Sequence, residues 1–320
     1  MITATLKNLR TEDISLMLNF ENHKWNYLCD CGYASQLSVK DCRDTNALFI
    51  SHTHIDHFIN FDHILRHQLG IGRKIVICGP AGLAKNVQNK IQGFTWNLLI
   101  EGHPDNASYE IREIHDNHQI EVYQLKAPKW ELEKVDGYQN QVIYQTDAFQ
   151  VRYTKLNHGI DTIAYLFEEP AKIKMNLKNC SYPGGKWVKT LKAAYEQNDA
   201  DLSIDVHGTP VLAKDLFQCI EKVAGYKLGY IMDHLGSPEN HQRITTLFEG
   251  ADEVYMEAYY ADADQELAFK NNHSTARLSG QVARLAKIKK IVPAHFSRRY
   301  HDDLAHEALL KECFDAFEGK

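Results

Sequence analysis

Residues 50–58 constrain this chain more than any other segment, because they join an apolar stretch to a dense run of metal-binding side chains. The segment reads Ile-Ser-His-Thr-His-Ile-Asp-His-Phe and places His52, His54, Asp56 and His57 within six residues, directly after ALFI. Alternate residues of an extended strand point the same way, so His52 and His54 can approach one ion. Asp56 and His57, at the start of the next element, can then reach a second ion. The spacing therefore predicts a site for two metal ions at the end of a strand.

Length and composition indicate an ordinary globular protein. The chain has 320 residues, of which 44% are hydrophobic and 24% charged, as is usual for one large domain or two small ones. Charges at Lys7, Arg10, Glu12 and Asp13 leave no apolar segment of a secretion signal there, and no apolar run reaches about eighteen residues, so we expect neither secretion nor a membrane span. The seven cysteines are an odd number without C-x-x-C pairs, which is typical of reduced thiols. We therefore expect a cytoplasmic protein.

The order of predicted elements favours an α/β fold. Apolar strands alternate with amphipathic helices up to about residue 105 and again after residue 226, whereas residues 109–167 read as consecutive strands. No linker separates the two halves. We predict a single domain over residues 1–320, with a lysine-rich arm inserted at residues 169–205.

The arm differs in charge from the rest of the chain. The net charge of the protein is −6, so any polyanion must be bound locally. Residues 171–192 contain six lysines and no acidic residue. On charge alone this segment is either a solvated basic loop or a binding surface for phosphates.

Three later residues occupy positions that suit the remaining metal ligands. His158 follows the strand QVRYTKLN, Asp233 closes KLGYIMD, and His295 closes KIVPAH. Dinuclear sites are commonly assembled from loops on one face of a scaffold, so strand ends are where further ligands are expected. Each residue alone is a weak signal, but in this order after residues 52–57 they predict one seven-residue site.

The motifs HTHIDH, LNHG, IMDH and PAHF resemble those of the metallo-β-lactamase fold over nearly the whole chain. More narrowly, the chain resembles ribonuclease Z, the endonuclease that trims 3′ trailers from transfer RNA. The narrower match rests on DCGYASQ (30–36), NHGIDTIAYLFEE (157–169), HST (273–275) and HFSRRY (295–300). The resemblance implies an αββα four-layer sandwich.

The resemblance also implies a ligand set and a chemistry. It places His52, His54 and His158 on one zinc ion, Asp56, His57 and His295 on the other, and Asp233 between them. Two zinc ions per chain suit phosphodiester hydrolysis, although manganese or iron also binds His and Asp ligands. Asp56 would in addition orient the attacking water, and His273 of the HST motif would protonate the departing ribose oxygen.

The resemblance implies that the protein binds RNA and forms a homodimer, and that it does not associate with a membrane. Ser297, Arg298 and Arg299 follow the last ligand, and a hydroxyl or a guanidinium suits phosphate oxygens; which arginine faces the site stays open. Ribonuclease Z carries an inserted arm between its third histidine ligand and its bridging Asp, where the lysine-rich arm lies here. The candidate arm residues for phosphate binding are Lys172, Lys174, Lys178, Lys186 and Lys189.

We therefore expect cleavage of precursor transfer RNA that leaves a 3′-hydroxyl and a 5′-phosphate. Ile55 stands where ribonuclease Z prefers glycine, and residues 1–20 lack that family's glycine-rich loop. These differences leave two alternatives open. One is a hydrolase of a cyclic nucleotide, another small phosphodiester or a thioester, and the other is a catalytically silent RNA-binding scaffold.

Overall fold

The structure, a computed structural model, describes residues 1–176 and 178–320. Residue 177, part of the predicted arm, lies outside the described residues. The strands, in chain order, are β1 (Ile2–Leu6), β2 (Leu16–Phe20), β3 (Asn26–Cys29), β4 (Thr45–Phe49), β5 (Lys74–Pro80), β6 (Ser108–Ile114), β7 (Gln119–Lys126), β8 (Glu133–Gln139), β9 (Val142–Gln145), β10 (Gln150–Asn157), β11 (Asp161–Glu168), β12 (Lys172–Met175), β13 (Ser203–Val206), β14 (Thr209–Leu212), β15 (Ile220–Val223), β16 (Lys227–Ile231), β17 (Glu253–Glu257) and β18 (Ile291–Ala294). The helices are α1 (Val39–Asp44), α2 (Ile55–Phe58), α3 (Phe61–Gln68), α4 (Leu83–Gln92), α5 (Trp187–Glu196), α6 (Ala213–Leu216), α7 (Pro238–Leu247), α8 (Gln265–Lys270), α9 (Ala276–Leu285) and α10 (Asp303–Glu318).

The chain divides into two compact units, Met1–Glu168 with Tyr226–Lys320, and Glu169–Gly225. In the first unit, one sheet has eight strands in the order β1 to β8, and the other has six in the order β18-β17-β16-β11-β10-β9. Side chains from both sheets meet in one apolar core that includes Phe49, Tyr165 and Tyr230. The rings of Phe49 and Tyr165 lie 5.5 Å apart, edge to face. The two sheets therefore pack face to face.

Amphipathic helices cover the outer face of each sheet. Ile64 of α3 and Val87 of α4 pack with Ile77 of β5 on the eight-stranded sheet. On the six-stranded sheet, Val282 of α9 packs with Met256 of β17, together with residues of α7 and α10. This order of layers, helix–sheet–sheet–helix, confirms the predicted αββα sandwich.

Strand direction determines which loops share an edge. Strands β3 to β6 run parallel to one another, and so do β16 to β18. Strand β10 is antiparallel to β11, which is antiparallel to β16, so β10 and β16 end at the same edge. Functional loops of such sheets gather at the carboxyl ends of the strands. The segments after β4, β10, β16 and β18 carry the predicted metal ligands.

The end of β4 differs from the prediction. The strand stops at Phe49, so His52 and His54 lie in the following loop and not on the strand. The backbone N–H of Ser51 donates to a carboxylate oxygen of Asp30 at 2.6 Å, which takes this part of the chain out of the sheet ladder. His54 then lies at the amino-terminal end of the short helix α2.

The second unit has a small core of its own. Strand β12 pairs with β15, and β13 pairs with β14, both antiparallel. Trp187 and Leu191 of α5 are buried with Ile204 and Val206 of β13. The arm predicted for residues 169–205 thus forms only the first part of a unit that continues to Gly225. Among the helices of the described residues, none is both long and apolar enough to cross a membrane.

Candidate metal centre

Seven side chains from the carboxyl edges of the two sheets form two adjacent groups. The first contains His52, His54, His158 and Asp233, the second contains Asp56, His57 and His295, and within each group the potential ligand atoms lie within 4.8 Å of one another. These are the groupings that the ribonuclease Z resemblance implies. That the residues bind metal is still a prediction.

Asp233 lies between the two groups. Its Oδ2 is 3.6 Å from Nε2 of His52 and 3.6 Å from Nε2 of His158. The same oxygen is 3.2 Å from Nε2 of His57, and Oδ1 is 2.6 Å from Nδ1 of His295. One carboxylate therefore contacts members of both groups, as a bridging ligand must.

Asp56 connects the second group in the same way. Its Oδ2 lies 3.5 Å from Nε2 of His295 and 3.7 Å from Nε2 of His57. Ligands around one zinc ion at about 2.0–2.1 Å in tetrahedral geometry are about 3.3–3.4 Å apart. The distances from Asp56 and from Oδ2 of Asp233, 3.2–3.7 Å, are close to that spacing, whereas the 2.6 Å between Oδ1 of Asp233 and Nδ1 of His295 is shorter.

Buried Asp30 fixes the orientation of the His57 ring. Its Oδ2 accepts hydrogen bonds from Nδ1 of His57 at 2.7 Å, from Oγ of Ser51 at 2.7 Å and from the hydroxyl of Tyr230 at 2.6 Å. A carboxylate only accepts, so Nδ1 of His57 carries a ring proton. Nε2 is then the ring nitrogen that faces Asp233 and is available to a metal ion.

The same reasoning assigns which ring nitrogen carries the proton in His158 and in His52. Nδ1 of His158 donates to the backbone carbonyl of Asn272 at 2.8 Å, which leaves a lone pair on Nε2. Ser51 uses its hydroxyl proton on Asp30, so Nδ1 of His52 donates to Oγ of Ser51 at 3.1 Å. Each of these two rings thus presents an Nε2 lone pair to Asp233.

The buried ring nitrogens fit a metal ion. Nε2 of His52 and Nε2 of His57 are buried and make no hydrogen bond to any residue that the structure describes. Buried polar atoms normally have a partner. Neutral imidazole nitrogens that converge on carboxylates, with the opposite ring nitrogens held by hydrogen bonds, are the donor set of a zinc site.

Electrostatics also favours positive charge at this place. Burial lowers the pKa of His57, but the carboxylates of Asp233 and Asp30 outweigh burial and raise that pKa well above its ordinary value. Burial also lowers the pKa of His295, but the carboxylate of Asp233 outweighs burial and raises that pKa to about 9. The pKa of Asp233 is held well below its ordinary value, because His295 and His57 outweigh its burial. A metal cation would satisfy the same carboxylates.

Three residues of the site adopt the left-handed backbone conformation at strand ends. The φ angles are +52° at Asp30, +38° at Asp233 and +50° at His295. Such a conformation costs about 1–3 kcal/mol for a residue other than glycine and is concentrated at functional sites. At each of the three positions the chain leaves the strand while the side chain joins the cluster.

Gly32 allows the loop after β3 to approach the metal-ligand loop. A Cβ at this position would collide with the backbone carbonyl of Asp56 and with the side chain of Asp13. The backbone N–H of the preceding residue, Cys31, donates to the carbonyl of His57 at 2.8 Å. The loop that contains Asp30 is thus packed directly on residues 52–57.

His273 lies beside the first group, and Glu257 orients it. Its ring centroid is 4.7 Å from that of His158, and its Nδ1 donates to Oε2 of Glu257 at 2.8 Å. Glu257 also accepts from the backbone N–H of His234 at 2.6 Å. Burial raises the pKa of Glu257, but His273 and His234 outweigh it and lower that pKa to about 2. The ionised carboxylate therefore fixes the proton on Nδ1 of His273.

The pKa of His273 is raised, because the charge of Glu257 outweighs the opposing effect of burial. An imidazole with a raised pKa keeps a proton to donate at neutral pH. This is the property that a proton donor to a leaving oxygen needs.

The predicted phosphate-binding residues lie outside the cluster. Arg298 donates to Asp13 at 2.7 Å, and Arg299 donates to Asp264 at 3.1 Å. The backbone N–H of Ser297 donates to the carbonyl of Tyr259 at 3.1 Å. Both arginines are thus paired with acids, and their phosphate contacts stay a prediction.

The predicted arm lysines lie in the second unit and are exposed. They are Lys172, Lys174, Lys178, Lys186 and Lys189. Lys172 is paired with Glu169 at 3.1 Å. The other four have no acidic partner within the described part of the chain.

Asp30, Glu257 and Tyr259 were not among the predicted site residues. Asp30 begins DCGYASQ, one of the segments that resemble ribonuclease Z, and Glu257 ends β17. Each is a single acid directly after or at the end of a strand. Such positions most often serve turns. Tyr259 stacks on His273 with ring centroids 3.8 Å apart and planes 2° from parallel. No sequence pattern marks that contact.

Comparison with known proteins finds similar sequences and similar folds. No protein-family model matches the chain. It is 26% identical to ribonuclease Z from Deinococcus radiodurans over 314 residues, which cover 94% of this chain and 92% of that protein. The metallo-β-lactamase fold protein YhfI from Bacillus subtilis superposes with a TM-score of 0.58 at 12% identity, over 99% of this chain and 93% of that one. The short form of human tRNase Z superposes with a TM-score of 0.55 at 17% identity, over 94% and 95% of the two chains.

The chain therefore has the metallo-β-lactamase fold, as its motifs predicted. Among proteins of this fold it is similar to ribonuclease Z over nearly its whole length, and this confirms the narrower resemblance.

Proposed function

We propose that this protein is a binuclear zinc phosphodiesterase of ribonuclease Z type that removes 3′ trailers from precursor transfer RNA, leaving a 3′-hydroxyl and a 5′-phosphate. The observation that carries the proposal is the cluster of seven candidate ligand side chains in two adjacent groups, with Asp233 between the groups and His273 beside them. Similarity to ribonuclease Z across more than nine-tenths of both chains supports the choice of substrate.

In this proposal His52, His54 and His158 would hold one zinc ion, Asp56, His57 and His295 would hold the other, and Asp233 would bind both. Two bound ions would supply Lewis acidity and activate a water for attack on phosphorus. Asp56 would orient that water in addition to binding metal. Contacts to His295 outweigh burial and lower the pKa of Asp56, so its carboxyl group stays ionised.

His273 supplies the proton that the departing ribose oxygen needs. Its Nδ1 is held by Glu257, so Nε2 is the atom available to the substrate. The proton lost in one turnover is regained from water. The exposed arm lysines would bind RNA phosphates, and Ser297 with Arg298 or Arg299 would bind the phosphate nearest the metals.

The proposed homodimer and cytoplasmic location rest on separate grounds. The homodimer rests on the ribonuclease Z resemblance, and a sedimentation equilibrium measurement tests it. The cytoplasmic location rests on the cysteines, all seven of which are among the described residues and are free thiols.

The decisive experiment assays purified protein on a precursor transfer RNA with a 3′ trailer and on bis-p-nitrophenyl phosphate. We expect about two zinc ions per chain by metal analysis and cleavage of both substrates, with loss of activity on chelation and recovery when zinc is added. Recovery with manganese or iron in place of zinc would change the assigned metal.

Two outcomes would contradict the proposal in different ways. Turnover of the small ester alone would make the RNA assignment wrong and leave a metal-dependent hydrolase of small esters. Less than one zinc ion per chain, with no activity after zinc is added, would indicate a silent scaffold protein.

A further inference from the structure

Tyr259 presents a free phenol to the candidate metal centre. It lies two residues after Glu257, which ends β17, and its ring is partly exposed. No hydrogen bond of its hydroxyl to another described residue is present. The neighbouring Tyr260 differs, since its hydroxyl accepts from Nδ2 of Asn271 at 2.8 Å.

The ring of Tyr259 lies between the proposed proton donor and the last ligand. It is parallel to the His273 ring at 3.8 Å, within 2°, and its centroid is 5.0 Å from that of His295. A side chain that touches both rings borders the place where a phosphate on the metals must meet Nε2 of His273.

The backbone around Tyr259 is held on both sides, so its position is fixed before substrate binds. The carbonyl of Tyr259 accepts from the N–H of Ser297 at 3.1 Å. The N–H of Ala258 donates to the carbonyl of Ala294 at 2.9 Å, and the carbonyl of Tyr260 accepts from the N–H of Ala276 at 2.8 Å. Preorganised donors are the most effective ones in catalysis.

The phenol is a donor at neutral pH. A tyrosine hydroxyl keeps its proton at neutral pH and can donate it in a hydrogen bond. An O–H group without a partner, on a ring that contacts the rings of His273 and His295, is suited to meet an anion bound there.

We propose that Tyr259 is a catalytic residue whose hydroxyl donates a hydrogen bond to a non-bridging oxygen of the scissile phosphate. This assignment rests on the proposed phosphodiesterase function. Charge grows on the phosphoryl oxygens during displacement, so a fixed donor stabilises the transition state more than the bound substrate.

The test is Tyr259→Phe, which keeps the ring against His273 and removes only the hydroxyl. We expect kcat on bis-p-nitrophenyl phosphate to fall about 10- to 100-fold, with zinc content unchanged. Inorganic phosphate, measured by calorimetry on the zinc-loaded protein, should bind about 10-fold more weakly. Tyr138→Phe, on the edge strand β8 of the same unit, is the matched control and should behave as wild type.

Wild-type kcat and wild-type phosphate affinity in Tyr259→Phe would overturn this inference and leave the proposed function intact. Absence of any phosphodiester cleavage by the wild-type protein would instead overturn the proposed function. In that case phosphate affinity decides: equal affinity in the two proteins removes Tyr259 from the site, and weaker affinity in Tyr259→Phe supports its contact with the anion.

Discussion

The candidate metal centre and the lysine-bearing surface of the second unit use charge in opposite ways. At the centre, buried imidazole rings are held in one orientation by the hydrogen bonds that they donate to Asp30, Ser51 and Asn272. On the second unit, the lysines are exposed and four of the five predicted ones have no acidic partner within the described residues. The hydrogen bonds at the centre fix the direction of each imidazole ring, whereas the exposed lysines supply only local positive charge. Substitutions at the centre should therefore change the chemical step or metal binding, and substitutions on the lysine surface should change RNA binding alone.

The largest effect is expected for His273→Ala. The variant should retain zinc and lose about 10²- to 10⁴-fold in the rate of the chemical step, measured by single-turnover cleavage. In the wild type, the rate should decline as pH rises through the raised pKa of His273, since the donor must be protonated. That decline should be absent from the variant.

Exposed His301 offers a control, because His301→Ala removes an imidazole outside the candidate metal centre. It should keep the wild-type rate and pH profile. Wild-type activity in a zinc-loaded His273→Ala protein would exclude His273 from the mechanism.

An intermediate effect is expected for Asp30→Asn. The amide has nearly the shape of the carboxylate but can donate to Nδ1 of His57, so the ring can take the tautomer with its proton on Nε2. Loss of such a supporting carboxylate typically weakens metal affinity about 10- to 100-fold. Competition with a chromophoric chelator measures this affinity.

Asp105→Asn, on an exposed loop, is the matched control for the change of charge. Circular dichroism of the Asp30→Asn protein ensures that only folded protein is compared. Wild-type zinc affinity in the folded variant would show that the hydrogen bond to His57 does not support the metal site.

The smallest effect is expected when Lys174, Lys186 and Lys189 are changed together to Gln. Cleavage of precursor transfer RNA should weaken several-fold through KM, and the dependence of RNA binding on salt should become shallower, because fewer counterions are released. Hydrolysis of bis-p-nitrophenyl phosphate should be unchanged. Titration of RNA binding at several salt concentrations provides the measurement.

A triple variant at Lys287, Lys289 and Lys290 changes the net charge equally and is the control. These lysines pair with Glu249, Asp252 and Glu253 in the first unit. If both triple variants lose RNA affinity equally, the effect comes from net charge and not from the arm.

The sequence was sufficient for those parts of the site that depend on residue type and on strand ends. His158, Asp233 and His295 were predicted from their places after apolar strands, and the structure brings all three to residues 52–57. The partners of the rings could not be predicted in this way. The contact from Asp30 to His57 depends on a left-handed turn after β3, and only the three-dimensional path of the chain shows where that turn directs the carboxylate.

Two further features depended on contacts between segments distant in the chain. Arg298 and Arg299 were predicted to bind phosphate because they follow His295 closely in the sequence. In the structure Arg298 pairs with Asp13, which is far away in the sequence. The predicted arm ended at residue 205 because the lysine-rich stretch is local, whereas β12 pairs with β15 beyond that point. Neither pairing leaves a local signal in the sequence.

The spread of the ligands along the chain has a consequence for synthesis. Residues 52–57 are made before the second unit, but Asp233 and His295 follow strands that are made after it, and Asp233 contacts members of both groups. A nascent chain that has emerged only as far as the second unit lacks the carboxylate between the groups and the last histidine. If the protein has the proposed function, hydrolysis can begin only after Asp233 and His295 have been made, so a chain that has emerged only as far as the second unit cannot cut RNA at the ribosome.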